Sequence, residues 1–405
     1  MTRTVKTDFL IFGGGIAGLW MLNRLRRSGY DAILLEKSSL GSAQTLASQG
    51  IIHGGLKYAL NGVLSPASSA ISGMPERWRQ CLKGEDDMDL RQCKVLSQEY
   101  FMWSSGGYRS RLKTFLGSKA LRGRIDALST SQYPPFFQGQ KLNGSLYKLS
   151  DFVVDTPSLI RVLAQAQRDR IFQASPEQWS AKFSENGAVQ AILLNEGESK
   201  VEIQAQRYVL SAGEGNAQLL AALGRKEPEM QTRPLHMVAL KLDHPHPAYL
   251  HCIGDSFGMT PRLTITSHPS PDGKWVWYIG GEIAESGVER SQQQQIDECA
   301  AQLSSTFDWV DFSKASWFSF PINRAEPRVA NLQRPDTAYL HASDNLIVSW
   351  PTKLTLTPNL GDSLVSTIQE QGLSPRADIG NENLDSLNDI LGQARFGEAQ
   401  WESAL

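Results

Sequence analysis

An α/β fold built from two interleaved lobes is predicted by three features of this 405-residue sequence. Residues 8–36 read as strand, glycine-rich turn, helix, second strand and terminal acid, the order of a Rossmann-like parallel unit. Apolar strands ending on small residues recur far downstream, at 207–215 and 345–349. Alternating, aromatic-rich segments at 94–102 and 233–285 read as a mixed, largely antiparallel sheet, which makes the second lobe α+β. The parallel lobe is therefore expected to be discontinuous, 1–75 with 150–225 and 325–375. The second lobe takes 76–149 and 226–324, and 376–405 form a tail.

The first unit gives each residue type a physical task. Asp8 precedes the apolar run from Phe9 to Phe12, and glycines follow as Gly13-x-Gly15-x-x-Gly18. Ile16, Leu19, Trp20, Leu22 and Leu25 then fall at helical spacing, and Arg24, Arg26 and Arg27 load the last turns with charge that a helix C-terminus favours. Gly29 ends the helix, and Ala32 to Leu35 lead to Glu36. Gly13 permits the tight turn, Gly15 lets a pyrophosphate approach the backbone, and Gly18 lets helix pack on strand. The helix N-terminus faces the anion and Glu36 accepts from the ribose hydroxyls. The unit reads as dinucleotide-binding, with NAD and FAD both open at this point.

Residues 37–60 are small and polar, then apolar, and Ser42, Thr45 and Ser48 are hydroxyls suited to a phosphate. A helix is expected over 64–90, with Met74-Pro75-Glu76-Arg77 as a start. No acid occurs between Phe101 and Ile125, where Arg109, Arg111, Lys113, Lys119, Arg122 and Arg124 are basic. That stretch reads as a solvated helix face, or as a membrane-surface, anionic-substrate or RNA-facing patch. Asp155, or Thr156 with Pro157, opens a helix to about 167. Residues 179–183, 188–194 and 200–203 read as antiparallel strands, Pro271-Asp272-Gly273 as a hairpin turn, and 291–307 as a helix. A last helix is expected near Leu360, and the polar, acidic tail as helix plus disorder.

Composition excludes several classes. Hydrophobic content of 41%, charged content of 20% and a net charge of −2 describe an ordinary soluble chain without a dominant nucleic-acid field. Cys81, Cys93, Cys252 and Cys299 are scattered and read as buried thiols in a reducing compartment. Apolar segments stay below the ~18 residues of a membrane span, so a cytoplasmic location is expected, with peripheral attachment to the inner membrane open. His244, His246, His251 and Cys252 lie close together without zinc-ligand spacing, and no metal is expected. His236, His268 and His341 read as core or supporting groups.

Gly13-x-Gly15-x-x-Gly18 with Glu36, the 48–58 segment, the turn at 209–215 and the segment 353–361 together resemble a flavoprotein family. That family includes D-amino-acid oxidase, glycine and sarcosine oxidases, L-2-hydroxyglutarate oxidase and the flavin-linked glycerol-3-phosphate dehydrogenases. The resemblance spans nearly the whole chain in order and implies FAD as the nucleotide. It implies cofactor contacts at Gly13, Gly15, Ile16, Ala17, Gly18, Glu36, Lys37, Thr45, Ser48, Gly50, Ile52, His53, Ala212, Gly213, Lys353, Leu354, Thr355 and Leu356. Leu360 and Gly361 would start a helix whose N-terminus stabilises the reduced flavin.

The run Ile52-His53-Gly54-Gly55-Leu56-Lys57-Tyr58 is most similar to the alcohol-oxidising branch. His53 is thereby the first catalytic candidate, taking a substrate hydroxyl proton; it could equally pack against the ring, and covalent attachment of flavin through it is a further reading. Arg324 is the second, as an anchor for a carboxylate or phosphate. Arg262 and Lys353 compete for that role, and Glu326 or Glu282 could hold Arg324 as a structural partner. The implied activity is oxidation of a small anionic hydroxy compound, with electrons passing to oxygen, a quinone or another carrier. An amino-acid or secondary-amine oxidase, an enzyme acting on a modified nucleic-acid base, and a non-catalytic flavin-binding protein are the alternatives.

Overall fold

The computed structural model describes residues 3–55, 71–105, 125–140, 142, 144–196, 199–253, 261–329, 335, 337–376 and 384–405. Two eight-stranded sheets organise it. In the first, Arg3–Phe12 is flanked in parallel by Ala32–Glu36 and Ser199–Leu210. Ile171–Gln173 extends one side and Leu346–Trp350 the other. Residues 7–12, 32–36 and 346–350 are buried without alternation, as strands covered on both faces must be. Residues 200–203 and 207–210, expected as separate strands, belong to one strand of twelve residues. Its first half pairs antiparallel with Val189–Glu196, which pairs with Trp179–Phe183. One strand therefore carries both the meander and the parallel sheet.

The second sheet runs in the order Ser316–Pro327, Met230–Leu242, Trp275–Gly280, Leu263–Pro269, Leu250–Ile253, Tyr100–Ser105, Gly144–Leu149, Ile125–Ala127. Its pairings are antiparallel except that of Leu250–Ile253 with Tyr100–Ser105. The turn at 271–273 forms the expected hairpin, with Gly273 at φ +81°. Gln49 ties the lobes together, its Nε2 donating to the Thr264 and Tyr278 carbonyls at 2.9 Å each.

Ile16–Arg27 occupies the span its periodicity predicts. Asp155 caps Thr156–Gln165 by accepting from Ser158 N at 2.9 Å, and Ser291 caps Gln292–Thr306. The helix expected over 64–90 is Met74–Lys83 among the described residues, stopped by Gly84 in the left-handed region at φ +77°. Trp78, Cys81, Leu90 and Cys93 share the first lobe's core with Phe9, Trp20 and Leu22. The last helix starts at Thr357, before the expected Leu360, with Pro358 in its first turn, where proline costs no hydrogen bond. Gly361 lies inside that helix; a Cβ there would stand 3.0 Å from Trp20 Nε1. Its small size lets the last helix close on the first.

The tail holds the expected helix, at Asp385–Asn388, and its other described residues pack on the two lobes. Leu387, Ile390 and Leu391 are buried in the first lobe, and Arg395–Phe396 pairs in parallel with Ser39–Leu40. Trp401 lies against Tyr278 of the second sheet, ring centroids 4.5 Å apart. Residues 384–405 are thus a strap across both lobes; their apolar residues meet different partners and leave no periodic signature. The basic 109–124 stretch lies outside the described residues, as do 56–70 and 377–383. Among the described residues, no helix is long and apolar enough to cross a membrane.

Arg77 braces the helices beneath the first sheet. Its Nη2 donates to Asp87 at 2.8 Å and to Asp362 at 2.9 Å, and its Nη1 also donates to Asp362. Asp87 is buried, and its other guanidinium partner, Arg24, is 3.3 Å away. Arg77→Met should lower the unfolding free energy by about 3 kcal/mol, because it leaves a buried carboxylate short of its partner. Urea denaturation measures this; a loss of only about 0.5 kcal/mol, typical of an exposed pair, would contradict it.

Candidate active site

The two sheets enclose a cavity of about 1810 Å³, well beyond the ~300–1,000 Å³ of a drug-sized ligand site. One wall is the glycine unit, with Gly13, Gly15, Ile16, Ala17, Glu36 and Lys37 lining it. Gly13 holds φ +106°, and a Cβ there would stand 2.6 Å from Ala212 Cα. The helix that follows has no side-chain cap; Ile16 N donates to Thr45 Oγ1 at 3.2 Å. An uncapped helix N-terminus opening on a cavity is an anion site. The Glu36 carboxylate also has a local role, accepting from Gly14 N at 2.6 Å and Ser38 N at 2.8 Å. It fixes the glycine turn while it faces the cavity.

Thr45, Ser48, Gly50, Ala212, Gly213, Lys353 and Leu354 line the cavity as well. The Ser48 hydroxyl is closed to solvent and has no hydrogen-bond partner among the described residues. Four expected contacts stand behind the wall instead. A Cβ on Gly18 would lie 1.9 Å from Gly13 O, so this residue packs helix on turn. Ile52 and Leu356 are fully buried core. Thr355 is buried too, its Oγ1 accepting from His53 N at 2.8 Å and its carbonyl from Trp78 Nε1 at 3.0 Å. In the short 3-10 helix Leu354–Leu356 each residue turns by about 120°, which carries 355 and 356 away from the cavity.

His53 lines the far end. The pairing of Ile51–Ile52 with Phe152–Val154 sets Asp151 beside it, and Gly54 N donates to Asp151 Oδ1 at 2.9 Å. Asp151, absent from the sequence reading, also lines the cavity. Burial pushes its carboxyl up to about 6, against the pull of the Gly54 N–H and Arg79. Over this end stand Met102, His251, Thr264 and Gly280, register neighbours along the second sheet. Ala174, Trp179 and Leu219 line the cavity as well; they too had no local signal, since strand register places the first two and the helix Asn216–Ala222 the third.

Arg324 lines the cavity. It faces Arg233 across the strand pair, and both reach Glu285, at 3.2 and 3.8 Å. Its chain neighbours meet the nucleotide wall, Ala325 N donating to Gln44 Oε1 at 3.0 Å and Asn323 Nδ2 to Glu214 Oε1 at 3.1 Å. The partner expected from Glu326 or Glu282 is supplied by Glu285. Glu326 instead accepts from Gln231 at 3.0 Å. Lys353, two residues before the Thr355 that holds His53, lines the cavity, and its Nζ donates to Pro335 O at 3.4 Å; Arg262 donates to Thr306 and is outside the cavity lining. His236 is buried away from the cavity with Ser319 and Gly287. Among the described residues, Cys81, Asp86 and Asp87 could meet on a metal, but Arg77 pairs with both carboxylates.

Burial lowers His251 and His268 to about 4 from the usual 6.5. Both are neutral in the folded protein, so the unfolded chain binds more protons between about pH 6.5 and 4. Their stabilisation is complete above 6.5 and lost as pH falls through that window. Asp151, raised from 3.8 to about 6, opposes this, its contribution being lost as pH rises through 6. Two histidines outweigh one carboxyl, and stability should fall on acidification. His268→Gln should flatten the urea midpoint against pH between 6.5 and 4; an unchanged slope would contradict this reading.

The family model for FAD dependent oxidoreductases matches residues 8–347. The chain belongs to this family. A probable FAD-dependent oxidoreductase of Pseudomonas aeruginosa is 44% identical over 376 residues, 93% of this chain and 94% of the relative. The crystal structure of the FAD dependent oxidoreductase from that organism has a TM-score of 0.83 at 38% identity, over 100% of this chain and 99% of the other. The fold is shared by glycine oxidase from Geobacillus kaustophilus, at TM-score 0.62, 16% identity and 93% and 97% coverage. L-alpha-glycerophosphate oxidase from Mycoplasma pneumoniae, solved with FAD bound, shares it at 0.63, 14%, 92% and 97%. In this FAD-dependent oxidoreductase the cavity suits the family's cofactor on three counts: its size, the uncapped helix behind Gly13 and the unpartnered Ser48 hydroxyl.

Proposed function

We propose that this flavoenzyme oxidises a small anionic hydroxy compound, a 2-hydroxy acid or a glycerol-phosphate-like molecule, at the His53 end of the cavity. The supporting observation is that an imidazole and a cation, His53 and Lys353, line the same cavity, Lys353 two residues before the Thr355 whose Oγ1 accepts from His53 N. Gly13, Gly15, Ile16 and Ala17 would hold the FAD diphosphate, Glu36 and Lys37 the adenosine side, and Thr45, Ser48, Gly50, Ala212, Gly213 and Leu354 the remainder. When bound, FAD supplies the hydride acceptor. His53 takes the substrate's hydroxyl proton, its ring placed by the backbone bond to Thr355. Lys353 holds the anionic end; Arg324 with Arg233 would reach a longer substrate. Met102, Leu149 and Ile253 close the end with apolar surface and limit water.

The Asp151 carboxylate favours a second reading, oxidation of an amine whose ammonium it would pair. Anaerobic bleaching of the holoenzyme against 2-hydroxy acids, glycerol phosphates, amino acids and N-methyl amines separates the two. Bleaching by hydroxy compounds alone is expected; bleaching by amines alone would transfer the assignment. The acceptor is oxygen, a quinone or another carrier.

A further inference from the structure

We propose that Asp151 is a substrate-binding residue that selects compounds carrying a second hydrogen-bond donor, a hydroxyl or an ammonium, on the carbon next to the reacting one. This deepens the reading above and rests on it for the location of the reacting carbon. Asp151 is 4% exposed, lines the cavity and stands beside His53 across the Ile51–Ile52 and Phe152–Val154 pair. Its Oδ1 accepts from Gly54 N at 2.9 Å. No hydrogen bond or ion pair engages its Oδ2 among the described residues.

Arg79, the nearest guanidinium in electrostatic reach, is held elsewhere. Its Nη2 donates to Ser150 O at 2.8 Å and its head lies 4.7 Å over the Phe152 ring. Fixing the Gly54 turn needs one acceptor oxygen, which an asparagine would supply without burying a charge. A buried carboxylate with half its acceptor capacity unused is costly unless a ligand fills it. Among the described residues, the second sheet offers no competing charge above it. His251 is neutral by burial, with Nδ1 bound to Thr264 Oγ1 at 3.0 Å, and the Tyr100 hydroxyl donates to Ile265 O at 3.3 Å. Among the described residues, the titratable groups around Asp151 are thus Arg79, Tyr100, His53 and His251, with Lys353 lining the same cavity.

His53 and Asp151 divide the work between two donors. The reacting hydroxyl goes to the imidazole, which needs a proton acceptor of near-neutral basicity. The neighbouring hydroxyl or ammonium goes to Oδ2, which binds it and takes no part in bond breaking. A site built to accept a donor rejects the analogue lacking it, because the acceptor is then left unpaired.

The test is calorimetric titration of flavin-loaded wild type and Asp151→Asn with lactate, glycerate and isoserine. These share a hydroxy acid frame and carry hydrogen, hydroxyl and ammonium on the neighbouring carbon. At pH 8 the wild type should bind isoserine and glycerate roughly 10- to 100-fold more tightly than lactate, and D151N should bind all three within about threefold. Equal affinity of the wild type for the three, an unchanged preference in D151N, or no binding of any probe overturns the assignment. Should D151N not fold, the wild type decides alone. Its preference for isoserine should weaken as pH falls through about 6, where the carboxyl protonates, and a preference constant from pH 8 to 5 overturns the assignment. If the probes bind with this preference while no hydroxy compound bleaches the flavin, the proposed reaction fails and the binding role of Asp151 stands.

Discussion

Gly18→Ala is expected to give protein that retains little FAD and melts several degrees lower. The added Cβ would stand 1.9 Å from Gly13 O and 2.8 Å from Ser211 Oγ. Neither neighbour is the loose end of a flexible side chain. Gly13 is the turn itself, and Ser211 Oγ donates to Phe12 O at 3.0 Å, which fixes the next strand's end to the same turn. Relief requires the first helix to lift from the sheet, at about 3 kcal/mol by the usual cost of overpacking, and the lifted helix carries the anion-facing N-terminus with it. The ratio of flavin to protein absorbance, with thermal melting, measures both effects. Gly29→Ala is the control. Its φ is +87°, so it is strained, but nothing lies within 4 Å of the added atom and it is outside the cavity lining. Stability should drop modestly with FAD retained. Equal FAD retention in the two variants would contradict the role given to Gly18.

His53→Ala should slow anaerobic bleaching by the active hydroxy compound about 10²- to 10⁴-fold, the usual contribution of a positioned acid–base group. FAD content should be unchanged, because the bond that places this segment runs from the His53 backbone N–H to Thr355 Oγ1 and survives the substitution. Stopped-flow reduction against substrate concentration separates the limiting rate from apparent binding. A limiting rate within twofold of wild type would remove His53 from the chemistry. A loss of flavin instead would show that the ring serves to hold the cofactor.

The glycine unit was legible because its demands are local. A positive φ at Gly13, a close approach at Gly18 and an acid after the second strand are each met within residues 8–36. The segment 353–361 was located but not oriented. Resemblance placed it near the cofactor, while helical rotation decided that Lys353 and Leu354 face the cavity and that Thr355 and Leu356 face the core. Asp151, His251 and Glu285 had no local signal at all. Each reaches the cavity through strand register or a short helix on another segment, and a lone aspartate after Ser150 reads as a turn residue. For Arg324 the residue type suited to an anchor was legible, while its place opposite Arg233 and its pairing with Glu285 come from register. The packing of the strap was not legible for a related reason, since Leu391, Phe396 and Trp401 each serve a different surface.

The central claim is that the cavity between the two sheets holds FAD. Its most direct measurement is the visible spectrum and flavin stoichiometry of the purified protein, before and after incubation with FAD and removal of the excess. A yellow protein with one flavin per chain is the expected result, released flavin being identified as FAD by mass. A colourless protein that takes up no added FAD would contradict the claim.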